Sequence, residues 1–162
     1  MRWLIQFFKR RNTLRFNMEL DSLYQEVILD HYKHPLNKKL QSDFTAQVHH
    51  VNPSCGDEIT LNVNISAGIV KSVSWDGVGC SISQASTSIA SDLMIGKSLD
   101  EALKIVDSFS DLMSSKGTMV GNEEILEDGV ALAGVSKFPA RIKCALLGWM
   151  AFKDAAIQSS KN

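Results

Sequence analysis

Leu20, Leu23, Tyr24, Val27, Ile28 and His31 recur at the three-and-four spacing of one helical face. That helix is predicted to stop near His34-Pro35, because proline disfavours helical backbone in the residue before it. The period then switches to two. Phe44 to Val48 begins a first strand. Ile59, Leu61, Val63 and Ile65 alternate with Thr60, Asn62 and Asn64, the pattern of a half-buried strand. Ser66-Ala67-Gly68 reads as a turn, and Ile69 to Trp75 returns as a third strand. Short turns between successive strands imply an antiparallel meander.

Beyond Gly79 the helical period takes over. Ser81 to Ile95 forms one helix, closed by Gly96, a suitable residue for a left-handed C-terminal cap. Ser98-Leu99-Asp100-Glu101 has the serine and glutamate spacing of a capping box, so another helix starts at Leu99. Its apolar face holds Leu99, Ala102, Leu103, Val106 and Phe109. Residues 114–136 are rich in glycine and serine and show only a short helical candidate, Glu123 to Leu132. A last helix runs from Pro139, at a favoured first-turn position, to about Ile157. Its stripe is Ile142, Ala145, Leu146, Trp149 and Phe152. Strands first and helices afterwards argue an α+β fold, a three-stranded antiparallel sheet covered by helices.

Composition narrows this reading. The chain has 162 residues, 44% of them hydrophobic, which suits one globular domain with a single core. The net charge of -1 hides an asymmetry: residues 1–17 contain five bases and no acid, while 18–162 has 12 bases against 18 acids. So acidic a body disfavours general nucleic-acid binding. The segment 1–17 reads as a basic extension without fixed structure, or as an overlong start with Met18 the first residue of the domain. No apolar run approaches the roughly 18 residues of a membrane span. Three cysteines at long spacings do not make a disulfide framework. A reducing, cytoplasmic setting is expected.

Those cysteines fall at element boundaries. Cys55 lies in the turn Val51-Asn52-Pro53-Ser54-Cys55-Gly56-Asp57, before the second strand. Cys80 follows Gly77-Val78-Gly79 at a helix start, and Cys144 lies in the first turns of the last helix. Gly56 frees the backbone to bring Cys55 and Asp57 to one point. Three thiolates and one carboxylate suit tetrahedral zinc. Arg141 and Lys143 flank Cys144 and would offset the negative charge of such a set. Each residue also has a plainer reading. Cys144, amid Ile142, Ala145 and Leu146, reads by spacing alone more readily as a small buried hydrophobe. Asp57 reads as a turn residue bonding its own backbone, and the two bases as solvated charges. His49-His50 offers another ligand pair, but adjacent strand residues point to opposite faces, so at least one belongs on the surface.

Four segments carry a resemblance: LYQEVILDHYKHPLN, NPSCGDEITL, GVGCSISQASTSI and FPARIKCALLGW. In that order, over about Met18 to Ile157, the chain resembles the U-type (NifU/IscU-like) iron–sulfur assembly proteins, specifically their SufU branch. Lys143 stands where IscU-like members have a histidine, and 107–134 is where a SufU-type insertion belongs. A long irregular segment of this kind is more often functional or mobile than core. The resemblance implies a SufE/NifU-like fold with its metal site at one end, and zinc held by Cys55, Asp57, Cys80 and Cys144. It implies a partner, a pyridoxal-phosphate cysteine desulfurase, whose persulfide sulfur is accepted and passed to a downstream SUF scaffold. Arg141 would face that partner. Cys55, in the more mobile turn, is expected to be the sulfur acceptor. The alternative is a scaffold that itself holds iron or a labile [2Fe–2S] cluster.

Overall fold

The computed structural model describes the chain from Arg2, and side chains from Met18 onward. The first helix, α1, is Arg2–Lys33. The reading of residues 1–17 as a basic extension concerns side chains that lie outside the described ones. After α1 come three strands: β1 Ala46–Asn52, β2 Asp57–Ser66 and β3 Ile69–Val78. They form one antiparallel sheet in the order β1-β2-β3. The helices α2 Ser81–Met94, α3 Leu99–Ser114, α4 Glu123–Leu126 and α5 Pro139–Ser160 follow, with a 3-10 segment, Glu127–Lys137, between the last two. The strands and the three long helices after them match the periodicities of the sequence.

Alternation sets the inner face of the sheet. Val48, Ile59, Leu61, Val63, Val73 and Trp75 are all buried against the helices. α5 packs on β1 and β2, and α2 packs between α1 and α5. The core closes around Trp75, Trp149, Phe109 and Phe152. Phe109 and Trp149 stack with ring centroids 4.0 Å apart. The capping box at Ser98 and Glu101 is formed in both directions.

Three findings go beyond the sequence pattern. First, β1 starts later than expected and runs on to Asn52, which pairs with Asp57 at the first position of β2. The hairpin therefore closes directly on the Cys55 turn. Second, α2 is buried on nearly every side, from Ser83 to Ser91. Its hydroxyls are satisfied internally: the Ser86 hydroxyl donates to the Ala145 carbonyl at 2.6 Å and accepts from Trp149 Nε1 at 2.8 Å. Ser88 meets His31 Nδ1 at 2.8 Å, and His31 Nε2 lies 2.8 Å from Asp128 Oδ2. Buried hydroxyls are tolerated once they are bonded.

The third finding is a correction. The stretch 107–134, expected to hold an irregular insertion, enters the core at both ends, while none of residues 115–125 is buried. Phe109, Leu112, Met113, Leu126, Val130 and Leu132 all belong to the central apolar cluster. Leu126, Gly129, Leu132 and Val135 are buried at a strict interval of three. That is the period of a 3-10 helix, whose side chains at i and i+3 eclipse. A search for periods of 3.6 and 2 does not register it. The Glu123 to Leu132 helical candidate accordingly splits into α4 and the start of the 3-10 segment.

Candidate metal centre

The β1–β2 hairpin brings the first two residues together. The Asn52 carbonyl accepts the N–H groups of Cys55 (3.3 Å) and Gly56 (2.9 Å), and Gly56 takes a φ of 73°, which favours glycine. The chain reverses tightly and re-enters β2 at Asp57, whose side chain is buried beneath the exposed Cys55. Cys55 Sγ lies 2.9 Å from Asp57 Oδ2, the thiol donating to the carboxylate.

Cys80 is the N-cap residue of α2, and its backbone N–H donates to Asp57 Oδ1 at 2.9 Å. A carboxylate at a helix N-terminus gains from both the free N–H group and the helix dipole. The Cys80 sulfur lies 3.7 Å from Asp57 Oδ2. The approach depends on Gly79: a Cβ there would stand 2.6 Å from Asp57 Oδ1 and 2.5 Å from Ser83 Oγ. Cys144, in the second turn of α5, is 1% exposed, and its sulfur is 3.5 Å from that of Cys55.

Burial works to raise the Asp57 carboxyl. Hydrogen bonds from the Cys55 thiol, the Cys80 backbone N–H and the other two thiols outweigh it, and the carboxyl lies below its ordinary value. Burial pushes the Cys144 thiol strongly upward, reinforced by its contacts with Cys55 and Asp57. A bound divalent cation inverts that preference, because a coordinating thiol is deprotonated outright.

The ligand atoms of Cys55, Asp57 and Cys144 all lie within 4.8 Å of one another. Tetrahedral zinc with Zn–S bonds of about 2.3 Å sets its sulfurs about 3.8 Å apart. The 3.5 Å between Cys55 and Cys144 is close to that edge, so the donors fit zinc in kind and spacing. Cys80 stands at the rim of this set: its sulfur reaches the shared carboxylate but is not in the mutually close group.

Arg141 and Lys143 are exposed on opposite flanks of Cys144. Arg141 borders a groove of about 540 Å³ with Tyr24, Ile28, Ile82 and Phe138. Lys143 borders a separate groove of about 330 Å³ with Val51, Pro53 and Met150. Among the described residues neither side chain forms a salt bridge. The histidine pair lies elsewhere: His49 contacts Thr60, and His50 Nε2 sits 2.9 Å from Asp154 Oδ2. Two residues that shape the site were missed in the sequence. Asn52 and Gly79 carry no ligand chemistry, and their only signal was adjacency to the cysteine turns.

Residues 23–145 match the NifU-like N terminal domain family. The chain belongs to that family. It is 45% identical over 140 residues, 86% of its length and 93% of the relative's, to a Bacillus subtilis protein named zinc-dependent sulfurtransferase SufU. It is 40% identical over 142 residues to the iron-sulfur cluster assembly scaffold protein IscU of Streptococcus pyogenes, covering 88% and 87% of the two chains. Among solved structures, a putative iron-sulfur cluster assembly scaffold protein for the SUF system from Fervidobacterium islandicum superposes with a TM-score of 0.75 at 30% identity. That match covers 81% of this chain and 94% of the other. A NifU-like N-terminal protein from Brucella abortus shares the fold at a TM-score of 0.79 and 22% identity, over 88% and 97% of the two chains. The SufE/NifU-like α+β architecture, with the Cys/Asp cluster at one end of the sheet, is thus that of the NifU-like family. Among the described residues no helix is long and apolar enough to cross a membrane.

Proposed function

We propose that this NifU-like protein serves iron–sulfur cluster assembly as a zinc-bound sulfur acceptor. It takes persulfide sulfur from a pyridoxal-phosphate cysteine desulfurase and passes it to a downstream SUF scaffold. The observation that carries this reading is the pairing of an exposed turn cysteine with a buried helical one. Cys55 and Cys144 sit 3.5 Å apart over one carboxylate, and only Cys55 is exposed to a partner. The 45% identity to a zinc-dependent sulfurtransferase supports the same choice. The ligands in this reading are Cys55, Asp57, Cys80 and Cys144. Zinc, when bound, keeps its sulfur ligands as thiolates and has no redox chemistry of its own.

The chain's own residues do the rest. Cys55 sits in a turn that can swing away from β1 and β2 at lower cost than a helix can move. Its thiolate attacks the outer sulfur of the desulfurase persulfide. A new S–S bond forms at Cys55, the old S–S bond breaks, and the desulfurase cysteine leaves as a thiolate. The outer sulfur keeps its hydrogen, so there is no net oxidation. Arg141, beside the exposed Phe138, and Lys143 lie on the rims where the partner would dock.

A second reading has support of its own, since a relative at 40% identity is named a cluster assembly scaffold. There the same cysteines hold iron and sulfide. One experiment separates the two. Protein purified without added metal is assayed for zinc, iron and sulfide, then incubated with desulfurase and cysteine, and alkylated for peptide mass spectrometry. About one zinc per chain and extra sulfur on Cys55 are expected. Brown protein containing iron and sulfide, with no persulfide on Cys55, would establish the scaffold reading instead.

A further inference from the structure

Asn52 is 4% exposed, and every polar group it has near the site is in use. Its carbonyl closes the Cys55 turn by accepting the N–H groups of Cys55 and Gly56. Its side-chain Oδ1 accepts the Ser54 N–H at 3.2 Å, an Asx turn that fixes how the amide is rotated. With the oxygen held there, the amide nitrogen faces the other way, and Nδ2 lies 3.9 Å from Cys144 Sγ. One buried side chain therefore positions the loop of one cysteine and donates toward the sulfur of another.

We propose that Asn52 is a positioning residue that decides which of two adjacent sulfurs undergoes exchange. This rests on the zinc-bound sulfur-acceptor reading above. Cys55 and Cys144 are only 3.5 Å apart, so proximity alone does not discriminate between them. An N–H group donating to a thiolate stabilises the charged sulfur where it is and draws on the lone pair that an attack would use. Cys144 receives that donor, whereas among the described residues the sulfur of Cys55 has only the Asp57 carboxylate and the Cys144 sulfur as hydrogen-bond neighbours. Burial reinforces the bias, since Cys144 is enclosed and Cys55 is exposed. The result is one sulfur kept as a ligand and one left free to react.

The test compares wild type with Asn52→Ser and Asn52→Ala, all zinc-loaded and without desulfurase. Serine retains a short acceptor for the Ser54 N–H but does not reach Cys144, while alanine lacks both functions. Each protein is pulsed with iodoacetamide, and labelling of Cys55 and Cys144 is mapped by peptide mass spectrometry against zinc content. In wild type Cys55 is expected to label first. In Asn52→Ser the ratio of Cys55 to Cys144 labelling should fall about tenfold, the scale of one lost hydrogen bond to a charged group, with zinc retained. An unchanged ratio in zinc-replete Asn52→Ser would overturn the proposal.

A measurement on wild type keeps the proposal testable if both variants misfold. One Asn52 side-chain amide proton should move downfield in nitrogen-15 spectra when zinc is added, and a response from neither proton would overturn it. Failure of the sulfur-acceptor reading is separately visible. Iron and sulfide in the purified wild type, with no persulfide on Cys55 in the desulfurase assay, would reject that reading, while the labelling ratio in zinc-loaded protein still reports on the Asn52 contact.

Discussion

At the scale of single residues, the site depends on small groups that bear no ligand atom. Gly79 permits the Asp57 carboxylate to lie against the start of α2. Gly79→Ala would place a methyl group on Asp57 Oδ1 and Ser83 Oγ, and one of them must move. Metal ligands lose affinity when their supports shift, so zinc binding is expected to weaken by about 10- to 100-fold with the fold intact. Competition against a chromophoric chelator measures this, and unchanged affinity would remove Gly79 from the site's support. A second residue-scale prediction concerns Asp154. The hydrogen bond from His50, followed by that from Gln158, holds its carboxyl below the usual 3.8. A depressed carboxyl contributes stability that is present above its unfolded value and lost as pH falls through the folded one. His50→Ala should therefore raise the Asp154 titration toward 3.8 and shrink that contribution. Carbon-detected NMR titration of the carboxyl reads it directly, and an unmoved midpoint would contradict the assignment.

At the scale of elements, the site is an intersection of three supports: the β1–β2 hairpin, the start of α2 and the second turn of α5. The approach of α2 to α5 is set at Gly148. A Cβ at that position would lie 2.8 Å from Thr87 Cβ and 2.9 Å from Thr87 Cα. Neither is the flexible end of a side chain, so the helices themselves must separate. Gly148→Ala should cost about 1–3 kcal/mol, the usual range for overpacking a dense core. Because α2 carries Cys80 and α5 carries Cys144, the same variant should also bind zinc more weakly. Urea unfolding and zinc titration on one preparation check both effects. Full stability together with full affinity would show that the interface relaxes without moving the site.

At the scale of the whole molecule, zinc would tie the sheet to both helices, and its removal would loosen all three supports. A ligand that binds only the folded chain at 1,000 times its dissociation constant stabilises it by about 4 kcal/mol. For a chain of this size, that corresponds to a melting temperature lower by roughly 8–16 °C after metal removal. Calorimetry before and after chelation tests this, with metal loss verified by elemental analysis. An unchanged melting curve would mean that zinc does not stabilise the fold. The core contacts recorded for the described part of α1 come from Tyr24, Ile28 and His31. A chain beginning at Met18 is therefore expected to keep its melting temperature and zinc content. A clear fall in either would give residues 1–17 a structural role.

What the sequence determined by itself is what short-range periodicity encodes. Alternation at Ile59, Leu61, Val63 and Ile65 specified a strand, and the Ser98–Glu101 spacing specified a helix start, because each depends on residues a few positions apart. Cys55, Asp57 and Cys80 were equally legible as candidates, since glycine and proline mark the turns around them. Their convergence was not legible in spacing, because 89 positions separate Cys55 from Cys144 and only the packing of α5 on the sheet brings them together. The tertiary structure also decided the fate of the two ends of 107–134, where Phe109 stacks on Trp149 and a period of three buries Leu126, Gly129 and Leu132. It made α2 a central helix despite its serines, by supplying buried partners from α1 and α5 for their hydroxyls. Local sequence fixes which backbone bonds form; which side chains meet depends on how distant elements exclude water from one another, and that is a property of the folded chain alone.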